Sequence, residues 1–341
     1  MSETHIVRLG GQPSGPPVGT PVLGGKGAGL AALCAQDLPV PPAFVVTTAA
    51  YRSAVGAVAD RLDAELAALD PDAGGFEAAC ARAREEIYRA AEGAAVLDEV
   101  AAAYRELDRG GGAGVAVRSS SAAEDSGLTS FAGEHDSYLW IDGADEVLDR
   151  VRACWASLYT ERAVRYRRRA GITGDAMAVV VQRMVDAHAA GVLMTLNPVS
   201  GDRSVIVVES VWGLGEPLVS AEVTPDRFVI DKVTGEVRRR ELAEQPFQLV
   251  GSAGRGTRRE ALPDPGAASL NSTHMARLRE LGRQLENRLG HPVDVEFAVV
   301  GDEVFLLQVR PETVWSRAAP ARPATAARSA MQLVLATLTA K

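Results

Sequence analysis

Cysteine is scarce in this sequence. Only Cys34, Cys80 and Cys154 occur in 341 residues, widely separated, odd in number, with no Cys-x-x-Cys pair and no pair of histidines nearby. That spacing excludes a disulfide framework and a thiolate zinc site, and it fits a reducing compartment. Positive charge is also in deficit, with 36 Lys and Arg against 44 Asp and Glu, a net charge of -8 and a pI near 5.3. A general nucleic-acid binder would show a basic excess, so nucleic acid is not an expected partner. No apolar run is long enough to span a membrane, and Met1 to His5 lack the basic and apolar regions of a secretory signal. The expectation is a soluble, cytoplasmic protein with no membrane partner. Internal repeats and long low-complexity segments are absent as well.

What is present is an ordinary globular composition, 47% apolar and 23% charged, in a chain too long for one hydrophobic core. Two or three lobes are expected. Residues 10 to 21 read as a Gly- and Pro-rich loop leading into Gly24-Gly-Lys-Gly-Ala-Gly29, with a helix from Ala28 to Gln36. A short strand at 40–48, helical stretches at 49–70 and 76–107, strands at 115–118 and 138–141 and a helix at 144–170 follow. Strands are then predicted at 176–185, 192–195, 204–210 and 227–231. Residues 238–266 are charged and turn-rich, an expected excursion, and a helix at 272–289 leads to a closing hairpin. The alternation is of the α+β kind, without the regular spacing of a doubly wound sheet. Residues 316–329 read as a linker and 331–339 as a short apolar helical tail. The basic run Glu161 to Arg169 reads as a solvated helix face.

The chemistry-bearing residues fall at the two ends. Lys26 stands among Gly24, Gly25, Gly27 and Gly29, where backbone amides can approach an anion that the ammonium neutralises. It is neither a P-loop, since Gly27 follows the lysine, nor a dinucleotide fingerprint; a plain glycine loop would look the same. Arg118 ends a strand before Ser119-Ser-Ser121, a guanidinium beside hydroxyls suited to phosphate oxygens, although Glu124 or Asp125 could neutralise it instead. Gln182 is a lone amide in Val179-Val-Val-Gln-Arg-Met-Val185. It is either a buried group needing a partner such as a base, or a surface residue of an edge strand. Glu216 in Gly213-Leu-Gly-Glu is ambiguous between ligand and turn. In the closing hairpin, Glu296 and Gln308 offer hard oxygen donors across the two strands, and Arg310 lies on the same face as Gln308. Three polar side chains buried there without a ligand would be costly. A cation, two guanidiniums and a metal site form an adequate set for phosphoryl transfer, which needs positioning and charge stabilisation above all.

These segments resemble a known family. Gly24-Gly-Lys-Gly-Ala-Gly-Leu30, Val117-Arg-Ser-Ser120, Ala123-Glu-Asp125, Ser130-Phe-Ala-Gly-Glu-His-Asp-Ser-Tyr-Leu139, Val181-Gln-Arg-Met-Val185, Gly213-Leu-Gly-Glu216 and Leu307-Gln-Val-Arg-Pro-Glu312 occur together. In order and spacing they are similar to the nucleotide-binding domain shared by pyruvate phosphate dikinase, phosphoenolpyruvate synthase and rifampin phosphotransferase. The likeness runs over residues 20 to 315. It implies an ATP-grasp fold with two sheet-containing lobes and the nucleotide between them. The expected division is 1–190 for the N-terminal lobe or lobes, 191–315 for the C-terminal lobe, and 316–341 for linker and tail.

The same resemblance implies that Lys26 and Arg118 hold ATP phosphates, that Gly133 and Ser137 lie in a loop covering them, and that Gln182, Met184 and Val185 line the adenine pocket. Glu296 and Gln308 would bind Mg2+, and Arg310 would contact the transferring phosphates. Two departures are Ala122, where the family usually has threonine, and Glu134, where glutamine is common. Family enzymes pass phosphate through a histidine in a Thr-Ser-His-Ala type motif. His5, His135, His188, His274 and His291 all lie outside such a motif. The chain therefore resembles the ATP-binding subunit of a split enzyme of the phenylphosphate synthase type. Its partner would be a phosphohistidine-domain protein on a separate chain, which phosphorylates a pyruvate-like, phenolic or other small-molecule acceptor. The alternatives are a self-contained small-molecule kinase and a non-catalytic ATP-sensing subunit.

Overall fold

The structure, a computed structural model, describes residues 4–10, 19–72, 74–109, 114–121, 137–252, 256–313 and 315. The first sheet takes β1 (Ile6–Leu9), β2 (Ala43–Val46), β3 (Val115–Ser121), β4 (Ser137–Ile141) and β5 (Met177–Arg183) in the order β1-β2-β5-β3-β4. Every pairing is antiparallel. β5 is central, which explains its unbroken apolar run: a strand covered on both faces has no reason to alternate. Met177, Val179 and Val181 join one core and Ala178 and Val180 another.

The first core lies under α2 (Thr48–Ala67), α3 (Phe76–Ala90), α4 (Val96–Asp108), α5 (Ala144–Ala156) and α6 (Glu161–Arg169). The predicted helix at 76–107 is two helices, and that at 144–170 is broken by a 3-10 turn at Ser157–Tyr159. Thr160 starts α6 by accepting the Ala163 amide at 3.3 Å. The basic face of α6 is not simply solvated. Arg165 pairs with Glu161 at 2.7 Å and Asp72 at 3.1 Å, Arg167 is buried and donates to the Leu158 carbonyl at 2.9 Å, and Arg168 donates to the Leu69 carbonyl at 2.8 Å. Arg165 and Arg168 also lie over the Phe76 ring, at 5.2 and 5.1 Å from its centre. The run ties α6 to the end of α2 and the start of α3.

Beside this core Asp175 accepts from Ser121 Oγ at 3.0 Å and the Ala176 amide at 2.9 Å. Burial pushes its carboxyl above the ordinary range, against the opposing pull of Arg167 and these two donors. A carboxyl whose folded pKa is raised is held most favourably when protonated, so its contribution falls as pH rises past the unfolded value near 3.8 and levels off above the folded one. Asp175→Asn, which keeps an acceptor without the charge, is therefore expected to be more stable than wild type at pH 7, with the gain shrinking toward pH 4. Denaturant melts across that range read it.

The second sheet contains β6 (Ala189–Met194), β7 (Val205–Trp212), β8 (Asp226–Asp231), β9 (Val237–Glu241), β12 (Val293–Val300) and β13 (Glu303–Pro311), in the order β13-β12-β6-β7-β8-β9. β10 (Phe247–Gly251) and β11 (Thr257–Ala261) form a separate two-stranded ribbon. The predicted excursion at 238–266 thus holds three strands, the first of them an edge of this sheet. α7 (Glu216–Val219) is a single turn, and α8 (Ser272–Leu289) starts at a capping box in which Asn271 and His274 satisfy each other's backbone amides. Gly290 ends it with φ 76°.

α1 (Thr20–Cys34) packs on both sheets. Leu23, Leu30 and Leu33 are buried in a core shared with Val45 and Val180 of the first sheet and with Leu193, Phe297, Val309 and Leu281. Each such leucine contributes about 1.5–3 kcal/mol, enough together to fix where this helix sits. In the closing hairpin the register shifts once: Glu296 faces Gln308 and Phe297 faces Leu306, leaving Leu307 as an extra residue in a bulge. The proposed linker and tail, 316–341, lie outside the described residues.

Candidate functional site

The glycine-rich segment is helical rather than a loop. α1 starts at Thr20 with Pro21 in its first turn, then breaks at Gly24, whose φ of 68° and ψ of 175° leave the helix. Lys26 therefore stands in the first turn after the break, half-buried. Glycine is required at 24: a Cβ there would lie 1.9 Å from the Ser120 carbonyl oxygen. Ser120 is the contact that holds the break. Its hydroxyl donates to the Leu23 carbonyl at 2.8 Å and accepts the Gly27 amide at 3.0 Å. One turn on, a Cβ at Gly29 would lie 2.5 Å from the Val309 carbonyl oxygen. The beginning of the chain is thus seated between β3 and the end of the closing hairpin.

Ala116, Arg118 and Ser120 alternate onto the α1 side of β3, and Gln182 is opposite Ala116 on β5. β5 is not an edge strand and Gln182 is 2% exposed, so the surface alternative for this residue is excluded. Among the described residues nothing accepts from its Nε2. Ser137, exposed, opens β4 directly opposite Arg118. Gly133, Glu124, Asp125, Ala122 and Glu134 lie outside the described residues. The observed partner of Arg118 is Glu296: Nη1 donates to Oε2 at 3.1 Å across 178 residues of sequence. Arg118 Nε is buried and has no hydrogen-bond partner among the described residues.

On the hairpin, Glu296 and Gln308 are direct cross-strand partners, as are Asp294 and Arg310. Arg310 donates to Asp294 at 3.3 Å. Asp294 was not singled out by sequence, although it lies two residues before Glu296 in an alternating strand and so shares its face. Burial raises its carboxyl above the ordinary range, while Arg310 pulls it down. Arg118, Glu296, Gln308, Asp294 and Arg310 form one continuous polar strip, with Lys26 on the neighbouring helix and Gln182 on the first sheet.

Residues 184–188 join β5 to β6. Met184 packs against Trp140, Leu214 and Leu249, and Val185 and Leu307 both pack against the cluster of Ala187, Ala190 and Ala298. The Trp140 indole lies flat against Gly251, where a Cβ would fall 1.9 Å from its ring. Met184 and Val185 thus each pack on an apolar cluster, and Leu307, next to Gln308 in sequence, packs on the second of them.

Residues 20–331 match the family described as pyruvate phosphate dikinase, AMP/ATP-binding domain. The chain belongs to this family. Among curated relatives of this dikinase AMP/ATP-binding domain, it is 41% identical over 321 residues to the prodigiosin synthesizing transferase PigC of Serratia marcescens, covering 93% of this chain and 34% of that protein. It is 43% identical over 299 residues to the rifampicin phosphotransferase of Streptomyces sviceus, with 86% and 34% covered. To a probable phosphoenolpyruvate synthase of Archaeoglobus fulgidus it is 37% identical over 301 residues, with 86% and 40% covered. The chain thus spans roughly a third to two fifths of the length of these relatives. Among the described residues no helix is long and apolar enough to cross a membrane.

Proposed function

We propose that this chain binds ATP with Mg2+ in a cleft between its two sheets and is the ATP-cleaving part of a dikinase-type phosphotransferase. The observation that carries the reading is the meeting of Arg118 with Glu296, which brings a guanidinium of the first sheet to a carboxylate of the second beside Gln308. Lys26, Arg118 and Arg310 are the phosphate-holding cations, with Gly133 and Ser137 in the segment that covers the phosphates. Gln182 offers an unmatched buried amide to the base, and Met184 and Val185 form apolar walls for it.

The donor set fits a hard cation. Glu296 and Gln308 supply two oxygens, and among the described residues no group of three or more His, Cys, Asp or Glu could hold a metal alone. Such a site suits Mg2+, which takes its remaining ligands from phosphate oxygens and water. Bound there, the metal would neutralise phosphate charge. The side chains orient the nucleotide and stabilise charge as it moves onto phosphate oxygens.

The reaction breaks two phosphoanhydride bonds. One phosphoryl group passes to an imidazole nitrogen of a phosphohistidine-domain protein on a separate chain and the other to water, giving AMP, phosphate and phosphohistidine. That partner then phosphorylates a pyruvate-like, phenolic or other small-molecule acceptor. Incubating the chain with ATP, Mg2+ and a histidine-domain protein is expected to yield AMP and acid-labile phosphoprotein. ADP as the only nucleotide product would overturn the proposal.

A further inference from the structure

The face of the second sheet that bears Glu296 carries another charged pair, which has no part in the site so far. Pairing is unbroken from β12 to β8: Glu296 is opposite Val192, Val192 opposite Glu209, and Glu209 opposite Arg227. Cross-strand partners share a face, so all four side chains stand on the same side. Their neighbours in the adjacent rows are Ala190 and Val211 on one side and Met194, Val207 and Val229 on the other. A carboxylate and a guanidinium thus rise from an apolar surface. Glu209 Oε1 lies 3.6 Å from Arg227 Nε, an ion pair too long for a hydrogen bond, and that nitrogen is buried with no hydrogen-bond partner among the described residues. Glu241, opposite Arg227 on β9, is taken by Arg239. Both side chains are only partly exposed, and an ion pair that makes no hydrogen bond adds little to stability, while an unmatched buried donor subtracts from it. Packing does not account for the pair.

Its place along the sheet does. Val185, Ala190, Ala298 and Leu307 mark the apolar end beside the 184–188 link, where a base would lie. Asp294 and Arg310 mark the opposite, charged end, where phosphates would lie. The row of Glu296, Val192 and Glu209 falls between, as a sugar falls between base and phosphates. Glu209 is two strands from Glu296, about 10 Å, on the side away from β13 and α1. A carboxylate accepts readily from both hydroxyls of a vicinal diol. We propose that Glu209 binds the ribose hydroxyls of the nucleotide and that Arg227 is the positioning residue that orients its carboxylate. This assignment rests on the reading that the site takes ATP.

Calorimetric titration of the full chain with ATP, 2′-deoxy-ATP and 2′,3′-dideoxy-ATP, each with Mg2+, tests it. Wild type is expected to bind ATP about 10- to 100-fold more tightly than the dideoxy analogue, the range for hydrogen bonds to a charged group. Glu209→Ala is expected to bring ATP down to the dideoxy level while leaving dideoxy-ATP affinity unchanged, with Glu209→Gln and Arg227→Gln in between. Equal binding of the three nucleotides by wild type would overturn the assignment. So would a Glu209→Ala variant that weakens all three alike or keeps the wild-type discrimination. If wild type binds none of them, the ATP reading itself fails and takes this assignment with it, a result distinct from loss of discrimination alone.

Discussion

Replacing Arg118 with alanine is expected to lower AMP formation by about 10²- to 10³-fold, the usual cost of removing one fixed charge that stabilises a developing oxyanion. The residue is placed by its strand, opposite Ser137 on one side and Val180 on the other, with its guanidinium on Glu296. Glu296 is only partly buried, so the loss of its partner costs no more than about 1 kcal/mol and the fold survives. A thermal melt close to wild type alongside the kinetic loss is the expected pair of results. Arg118→Lys is expected to recover little, because an ammonium cannot present a planar two-pronged donor. Collapse of the melting transition in the alanine variant would show instead that Arg118 is a structural residue.

Gly24→Ala is expected to be severely damaging for the addition of a single methyl group. Its φ of 68° already disfavours any side chain, and the added carbon would overlap the Ser120 carbonyl at 1.9 Å and its hydroxyl at 2.3 Å. Neither the β3 backbone nor α1 can retreat, since Ser119, Ser120 and Ser121 are buried and Leu23 is anchored in the shared core. A loss of at least about 3 kcal/mol is expected from strained backbone plus overlap, read as a shift in the denaturant midpoint. Lys26 would move with the break, so nucleotide binding is expected to weaken in whatever fraction stays folded. The control is Gly56→Ala in α2, where the nearest atom to a new Cβ is Arg52 Cβ at 3.7 Å and no loss is expected.

How much of this was legible in the sequence depended on whether the deciding contact was local. The hairpin at 293–311 was readable because alternation and a Gly-Asp turn are local patterns, and they placed Glu296 opposite Gln308 correctly. Gln182 could not be assigned from its strand alone: whether an amide in an apolar run faces water depends on which strands flank it, and only the order β2-β5-β3 settles that. The glycine run around Lys26 was expected to be a loop because glycine is the poorest helix former after proline. Packing of Leu23, Leu30 and Leu33 overrides that preference, and the glycines serve close approach to β3 and β13. Asp294 was within reach of the two-residue period and was missed. Ser120 was not within reach, since its partners at Leu23 and Gly27 are more than ninety residues away.

Leu307 gives the hairpin an unequal count of residues on its two strands. Pairing holds on either side of it, Gln308 with Glu296 and Leu306 with Phe297, so losing this one residue would restore plain alternation without turning Gln308 or Arg310 over. Along β13 it is the position where the length of the chain is uncoupled from the orientation of its side chains. Gain or loss of a single residue at Val309 would reverse Gln308 relative to Arg310, separating the proposed metal ligand from the proposed phosphate ligand by the thickness of the sheet.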